Sequence, residues 1–134
     1  MTLFPLKIVT PDGLIFDGQA EELIVRTTTG DIGILAGHIN CVAPLGMGRA
    51  MVLCDGKRRY AACIGGMVSV VDGNVTLVPT TFEWADKIDL QRAEASYEKA
   101  DKILKSGTAS STELALAQAK LHRALVRKSV VSFM

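Results

Sequence analysis

Long hydrophobic runs are missing from this 134-residue chain. No stretch approaches the roughly 18 consecutive apolar residues that a membrane-spanning helix needs. The opening residues, Met1 to Gly13, have neither the basic start nor the long apolar middle of a secretory signal, which predicts a cytoplasmic location. An excess of one charge is missing too. The net charge of +1 argues against a nucleic-acid binder driven by a large positive field. Histidine is scarce, with only His38 and His122, and a zinc site on His38 and Cys41 lacks two further ligands, so no metal site is expected. The cysteines, Cys41, Cys54 and Cys63, are odd in number, lie in apolar runs and form no CxxC pair, which reads as reduced core residues. No glycine-rich loop of the P-loop kind enters a helix, so nucleotide hydrolysis is not expected. With no convincing acid pair or nucleophile–histidine setting, an enzyme is a poor reading. What remains is 49% hydrophobic and 22% charged, the balance of a folded domain. A mean hydropathy of +0.27 is high enough to indicate apolar surface reserved for partners.

Proline and glycine vanish part-way along. All four prolines (Pro5, Pro11, Pro44, Pro79) precede residue 80, and Gly107 alone among the glycines follows Gly73. Charge divides at the same place: residues 1–86 sum to −3 and residues 87–134 to +4. Two regions of different architecture follow, 1–86 and 87–134. The first is rich in β-branched runs closed by turn sequences. Pro11-Asp12-Gly13, Asp17-Gly18, Asp55-Gly56 and Asp72-Gly73-Asn74 punctuate it, the last two as hairpin signals. This predicts eight to ten short strands in a β-sandwich or barrel.

The second region has the period of helices. Leu90, Ala93, Tyr97, Ala100 and Leu104 form one narrow seam, and Leu114, Ala117, Leu121 and Ala124 another. Asp86 is the expected cap of the first helix, and Ser110 with Glu113 a capping box for the second. Gly107 marks the stop between them, and so short a connection makes an antiparallel hairpin. Seams this thin are marginal alone, so the hairpin must lean on the sandwich or on a partner. Phe82 and Trp84 are the expected packing pivot between the two parts. Met47, Met51 and Met67 read as core or interface filler.

Four segments in order carry a family resemblance. They are Lys7-Ile8-Val9-Thr10-Pro11-Asp12-Gly13, Gly30-Asp31-Ile32-Gly33-Ile34-Leu35-Ala36-Gly37-His38, Gly65-Gly66-Met67-Val68-Ser69-Val70 followed by Asn74-Val75-Thr76-Leu77, and Asp89-Leu90-Gln91-Arg92-Ala93-Glu94-Ala95. Together they resemble the epsilon subunit of F-type ATP synthases over essentially the whole chain. One departure is Asn40, where that family has proline two residues after the histidine; the change loosens the local backbone and adds a donor. The resemblance implies a non-catalytic central-stalk, or rotor, subunit peripheral to the cytoplasmic face of the cell membrane. In that family the sandwich binds the gamma subunit and sits on the c-ring. The hairpin folds down on the sandwich or extends along gamma into the catalytic head of alpha and beta subunits, where it restrains ATP hydrolysis. The resemblance places Asp31 and His38 on the c-ring side. Lys120, Arg123, Arg127 and Lys128, with no acid after Glu113, suit an encounter with acidic loops of the catalytic head, although charges of this sign are also favoured near any helix C-terminus.

Ile88-Asp89-Leu90-Gln91-Arg92-Ala93 matches an I/L-D-x-x-R-A motif linked in some bacterial epsilon subunits to ATP binding. The resemblance implies ATP as a regulatory ligand, with or without Mg²⁺. Asp89 and Arg92 share a helix face, where a carboxylate accepts from ribose or adenine and a guanidinium holds phosphate oxygens. Glu83, on the strand-to-helix connection, adds an acceptor. Arg123 and Arg127 are brought across by the antiparallel hairpin, and Lys99 adds charge further down helix one. The bland alternative for Asp89 and Arg92 is an intrahelical pair of a few tenths of a kcal/mol. Without the resemblance, the same residues describe a free-standing β-sandwich nucleotide sensor or binding module.

Overall fold

Buried and exposed residues alternate along the first strand, Phe4–Thr10 (β1): Phe4, Leu6, Ile8 and Thr10 point inward while Pro5 and Lys7 face out. That period of two recurs in the strands Glu22–Thr27, Met67–Val71 and Asn74–Val78 of the computed structural model, which describes residues 2–133, whereas residues 50–53 and 61–64 are buried on both faces. The further strands are β2 (Gly13–Ala20), β3 (Glu22–Thr27), β4 (Gly30–Ile34), β5 (Cys41–Pro44), β6 (Met47–Cys54), β7 (Lys57–Ile64), β8 (Met67–Val71), β9 (Asn74–Val78) and β10 (Thr81–Trp84). Two five-stranded sheets result, ordered β2-β1-β9-β8-β5 and β10-β7-β6-β3-β4. Every pairing is antiparallel except β1 with β9. The sheets enclose one core that includes Leu6, Ile8, Leu23, Val25, Val52, Val68 and Leu77. A β-sandwich followed by two helices is therefore the architecture. Asp55-Gly56 and Asp72-Gly73 turn with φ of 53° and 71°, and 49° and 81°, the backbone that two-residue hairpins require.

The outer face of the second sheet is covered by the hairpin. One cross-strand row runs Arg49 (β6), Ala62 (β7), Glu83 (β10). The smallest member, Ala62, is fully buried. Val126 and Val130 of the second helix pack on it and on Ala85, with Met47, Tyr60 and Ile88 around them. Alanine here lets the helix approach the sheet closely. Between the helices, α1 (Leu90–Lys105) and α2 (Ser111–Val131), the contact is also alanine on alanine: Ala93, Ala100, Ala117 and Ala124 are all at most 3% exposed. Leu90 and Leu114, expected on the seams, are more than a third exposed, because each stands in the first turn of its helix. Gly107 separates the helices at φ 72°.

Other expectations are corrected. Asp86 lies in a single 3₁₀ turn, Ala85–Lys87, and Asp89 caps α1 by accepting the Arg92 backbone N–H at 3.0 Å. Ser110 caps α2 as expected, accepting from Glu113 N at 3.2 Å. Phe82 and Trp84 are not a pivot. The alternation of β10 sends them into the sandwich, where their rings meet edge-to-face at 4.9 Å, and turns Glu83 outward instead. Asn40 does not loosen its loop: its side-chain oxygen accepts the Asp72 N–H at 2.8 Å and ties the loop to the β8–β9 turn. Cys63 is buried, and burial pushes its thiol up to about 12, whereas Cys41 and Cys54 are half-buried.

Two outcomes follow. Ala62→Leu overpacks the site under α2, a cost of about 1–3 kcal/mol. Limited trypsin digestion will then cut the α2 arginines and lysines early while the sandwich fragment survives. Cys63 will resist a thiol reagent at pH 8 in the native protein and react once the chain is unfolded in urea, because thiolate is the reactive species.

Candidate functional site

Because α2 crosses the outer face over Ala62, a cleft opens where β10, α1 and α2 meet. It encloses about 550 Å³, and its lining includes Glu83, Asp89, Arg92, Ala93 and Arg127 together with Thr10, Asp12, Lys87 and Ser96. The position of each side chain follows from its element. Glu83 faces out because Phe82 and Trp84 face in. Asp89 is fixed by its cap bond, which engages one carboxylate oxygen and leaves the other available. Arg92 and Ala93 follow on the first turn of α1, and Arg127 comes from the far helix.

Arg127 donates from Nε to Glu83 Oε1 at 2.5 Å, joining residues 44 apart in sequence, with both side chains about one-third exposed or less. Only Nε is used, so the terminal guanidinium nitrogens of Arg127 keep their donors. A second, smaller cleft of about 270 Å³ adjoins the first and shares Ser96 and Arg127 with it. It lies between the helices and is lined by Lys99, Lys120 and Arg123 with no acid. The combined groove carries both signs of charge. Thr10, Asp12 and Glu83 of the sandwich and Asp89 at the α1 cap supply hydroxyls and carboxylates, and the hairpin supplies five cations, Arg92, Lys99, Lys120, Arg123 and Arg127, with Lys87 of the 3₁₀ turn beside them.

The structure thus gathers Glu83, Asp89, Arg92, Ala93 and Arg127 in one cleft and Lys99 and Arg123 in its extension. Ile88 is not in the lining; it packs under α2 beside Ala62. Asp31 and His38 lie apart. Asp31, on edge strand β4, accepts from Arg26 Nε at 2.8 Å. His38 sits in the exposed loop after β4, its Nδ1 2.8 Å from the Ile39 carbonyl. Sequence reasoning did not assign Thr10, Asp12, Lys87, Ser96 or Lys120 to the groove. The Thr10 hydroxyl bonds locally to the β1–β2 turn, and nothing in the sequence signals that this turn meets α1.

A β-sandwich with a helical hairpin docked on one face, and a cleft at the junction, defines a two-part architecture. The family descriptions "ATP synthase, Delta/Epsilon chain, beta-sandwich domain" and "ATP synthase, Delta/Epsilon chain, long alpha-helix domain" match residues 3–85 and 86–132. The chain belongs to this family, as an F-type ATP synthase epsilon subunit. It is 43% identical to the ATP synthase epsilon chain of Ruminococcus albus over 98% of both chains. With that of Bacillus subtilis it is 42% identical over 79% of this chain and 80% of that one. The same fold occurs in a chain of the Euglena gracilis mitochondrial ATP synthase, OSCP/F1/c-ring in rotational state 1 (TM-score 0.85, 21% identity, 96% of this chain and 81% of that one).

The cap geometry gives a testable outcome. Asp89→Ala removes the cap and costs about 1 kcal/mol, while Asp89→Asn keeps it and costs a few tenths. Thermal melts of the two variants against the parent chain will separate the capping role of Asp89 from any role of its charge.

Proposed function

We propose that this subunit is a non-catalytic central-stalk component that joins the gamma subunit to the c-ring, and that ATP in the junction cleft holds its hairpin down and relieves inhibition of ATP hydrolysis. One observation carries the ATP reading: the groove has walls from β10, α1 and α2 together, so a ligand filling it binds only the docked hairpin. The donor set suits a nucleotide. Glu83 and Asp89 offer acceptors for ribose hydroxyls or the adenine amino group. Arg92, Arg127, Arg123 and Lys99 offer charge-assisted donors for phosphates. The bound molecule supplies the bridge between sandwich and hairpin, with or without Mg²⁺, and the chain's residues supply only its binding.

The leverage is mass action. ATP at ten times its dissociation constant stabilises the docked state by about 1.4 kcal/mol, which moves a balanced hairpin to about ten to one. When ATP is scarce, the basic α2 is free to extend toward the alpha and beta subunits of the catalytic head.

The partner surfaces have separate support. The outer face of the first sheet leaves Val42, Met67, Val71 and Val78 between 46% and 60% exposed, and Pro44, Met67 and Val78 form one cross-strand row. An apolar face of this kind suits the gamma subunit. At one end of the sandwich, His38 is flanked by Leu35 and Ile39, 54% and 77% exposed, an apolar tip suited to the c-ring with Asp31 on the neighbouring edge strand. No helix among the described residues is long and apolar enough to cross a membrane, so attachment at the cytoplasmic face runs through these surfaces.

Calorimetric titration of the full chain with ATP tests the reading. Saturable binding weakened at least tenfold by Arg92→Gln and by Asp89→Asn is expected. Binding that neither variant changes overturns the site.

A further inference from the structure

The helix that forms one wall of the nucleotide groove also walls a second cleft on its opposite flank. In the cross-strand row Arg49–Ala62–Glu83, α2 sits on Ala62, so Glu83 opens to one side and Arg49 to the other. The Arg49 side encloses about 550 Å³. Its sheet wall carries Arg26, Arg49 and Arg58, and its helix wall carries His122, Leu125 and Ser129, which recur at spacings of three and four on one face of α2. The acids that face it are Glu22 and Asp31; the remaining titratable groups are His122 and Tyr60.

Two of the guanidinium groups, those of Arg26 and Arg49, are held in place with donors unspent. Arg26 lies across Gly48, where an added Cβ would come within 2.5 Å of its own Cβ, and it gives only Nε to Asp31. Arg49 packs over the Phe133 ring at 3.8 Å and the Tyr60 ring at 5.5 Å. Stacking fixes the plane of a guanidinium while leaving its edge N–H groups free. Neither Arg49 nor Arg58 has an ion pair among the described residues. Arginines from three strands line this one cleft, and a phosphate monoester, with three strong acceptor oxygens, can take up more of their donors than a carboxylate with two. The apolar part of the lining is Ile24 and Met51 on the sheet and Leu125 and Val126 on the helix. Pockets of this size, with apolar lining and a few placed polar groups, suit small molecules.

We propose that this cleft is a second ligand site, distinct from the nucleotide groove, that takes a small phosphate monoester with an apolar body. The phosphate meets Arg49 and Arg58, with Arg26 alongside, and the body lies on Ile24, Met51 and Leu125. Because the helix wall belongs to α2, such a ligand also favours the docked hairpin.

The test is a titration of the ¹⁵N-labelled full chain with phenyl phosphate, and with inorganic phosphate as the head group alone, at constant ionic strength set with sodium chloride. Saturable shifts at the Arg49 and Arg58 side-chain N–H groups and the Gly48 amide are expected, with phenyl phosphate the tighter of the two. Arg58→Gln, at an exposed position, is expected to weaken binding at least tenfold, and Arg49→Gln likewise. Arg92→Gln, in the other groove, is expected to leave it unchanged, so this result is independent of the ATP reading. The proposal is overturned if nothing saturates, if shifts fall only on Arg92, Arg123 and Arg127, or if Arg58→Gln with an unaltered melting curve binds as the parent chain does.

Discussion

The contact of Val126 and Val130 with Ala62 and Ala85 is the constraint on which the rest of the molecule depends. It is small. Val126, Val130, Ala62 and Ala85, with Met47, Tyr60 and Ile88 packed around them, make a far smaller cluster than the seventeen residues inside the sandwich. Yet it sets the position of α2, and α2 sets both clefts. A contact of this size stabilises a docked arrangement without making it permanent, because burial scales with apolar area.

Polar interactions supplement that contact at its edges. The net charge of +1 is a cancellation between an acidic sandwich and a basic arm, and the two meet at the Glu83–Arg127 pair. A partly exposed pair adds modest stability but orients its partners well. It keeps Arg127 in the groove with its terminal donors free. On the other flank, the Arg49 guanidinium against Tyr60 and Phe133 performs a comparable service for the end of α2. The alanine seam between the helices makes the arm one thin body, so whatever moves α2 carries α1 with it.

Much of this was legible in the residues. Asp55-Gly56 and Asp72-Gly73 announced their hairpins because few residues other than Asn, Asp and Gly tolerate the positive φ such turns need. The alanine seams announced the antiparallel hairpin through their period. The candidate site was legible in part. Glu83, Asp89, Arg92, Ala93 and Arg127 were all named from the motif and its surroundings, and they do share one cleft. What went unread depended on register. Phe82 and Trp84 look like a bridge in a linear sequence, and only the pairing of β10 with β7 shows that they face inward. Asp86, the expected cap, falls in a 3₁₀ turn, and the backbone gives the capping role to Asp89.

The sequence by itself determined the division near residue 86, the β-then-α order, the turn positions and the sign of charge in each part, because these rest on local backbone preference and on composition. The tertiary structure alone decided which residues from distant segments share a wall. Thr10 and Asp12 from the first turn, Glu83 from the last strand and Arg127 from the last helix line one groove, while Arg26, Arg58 and His122 line another. No local pattern encodes those meetings. They follow from where one helix finds an alanine small enough to lie on.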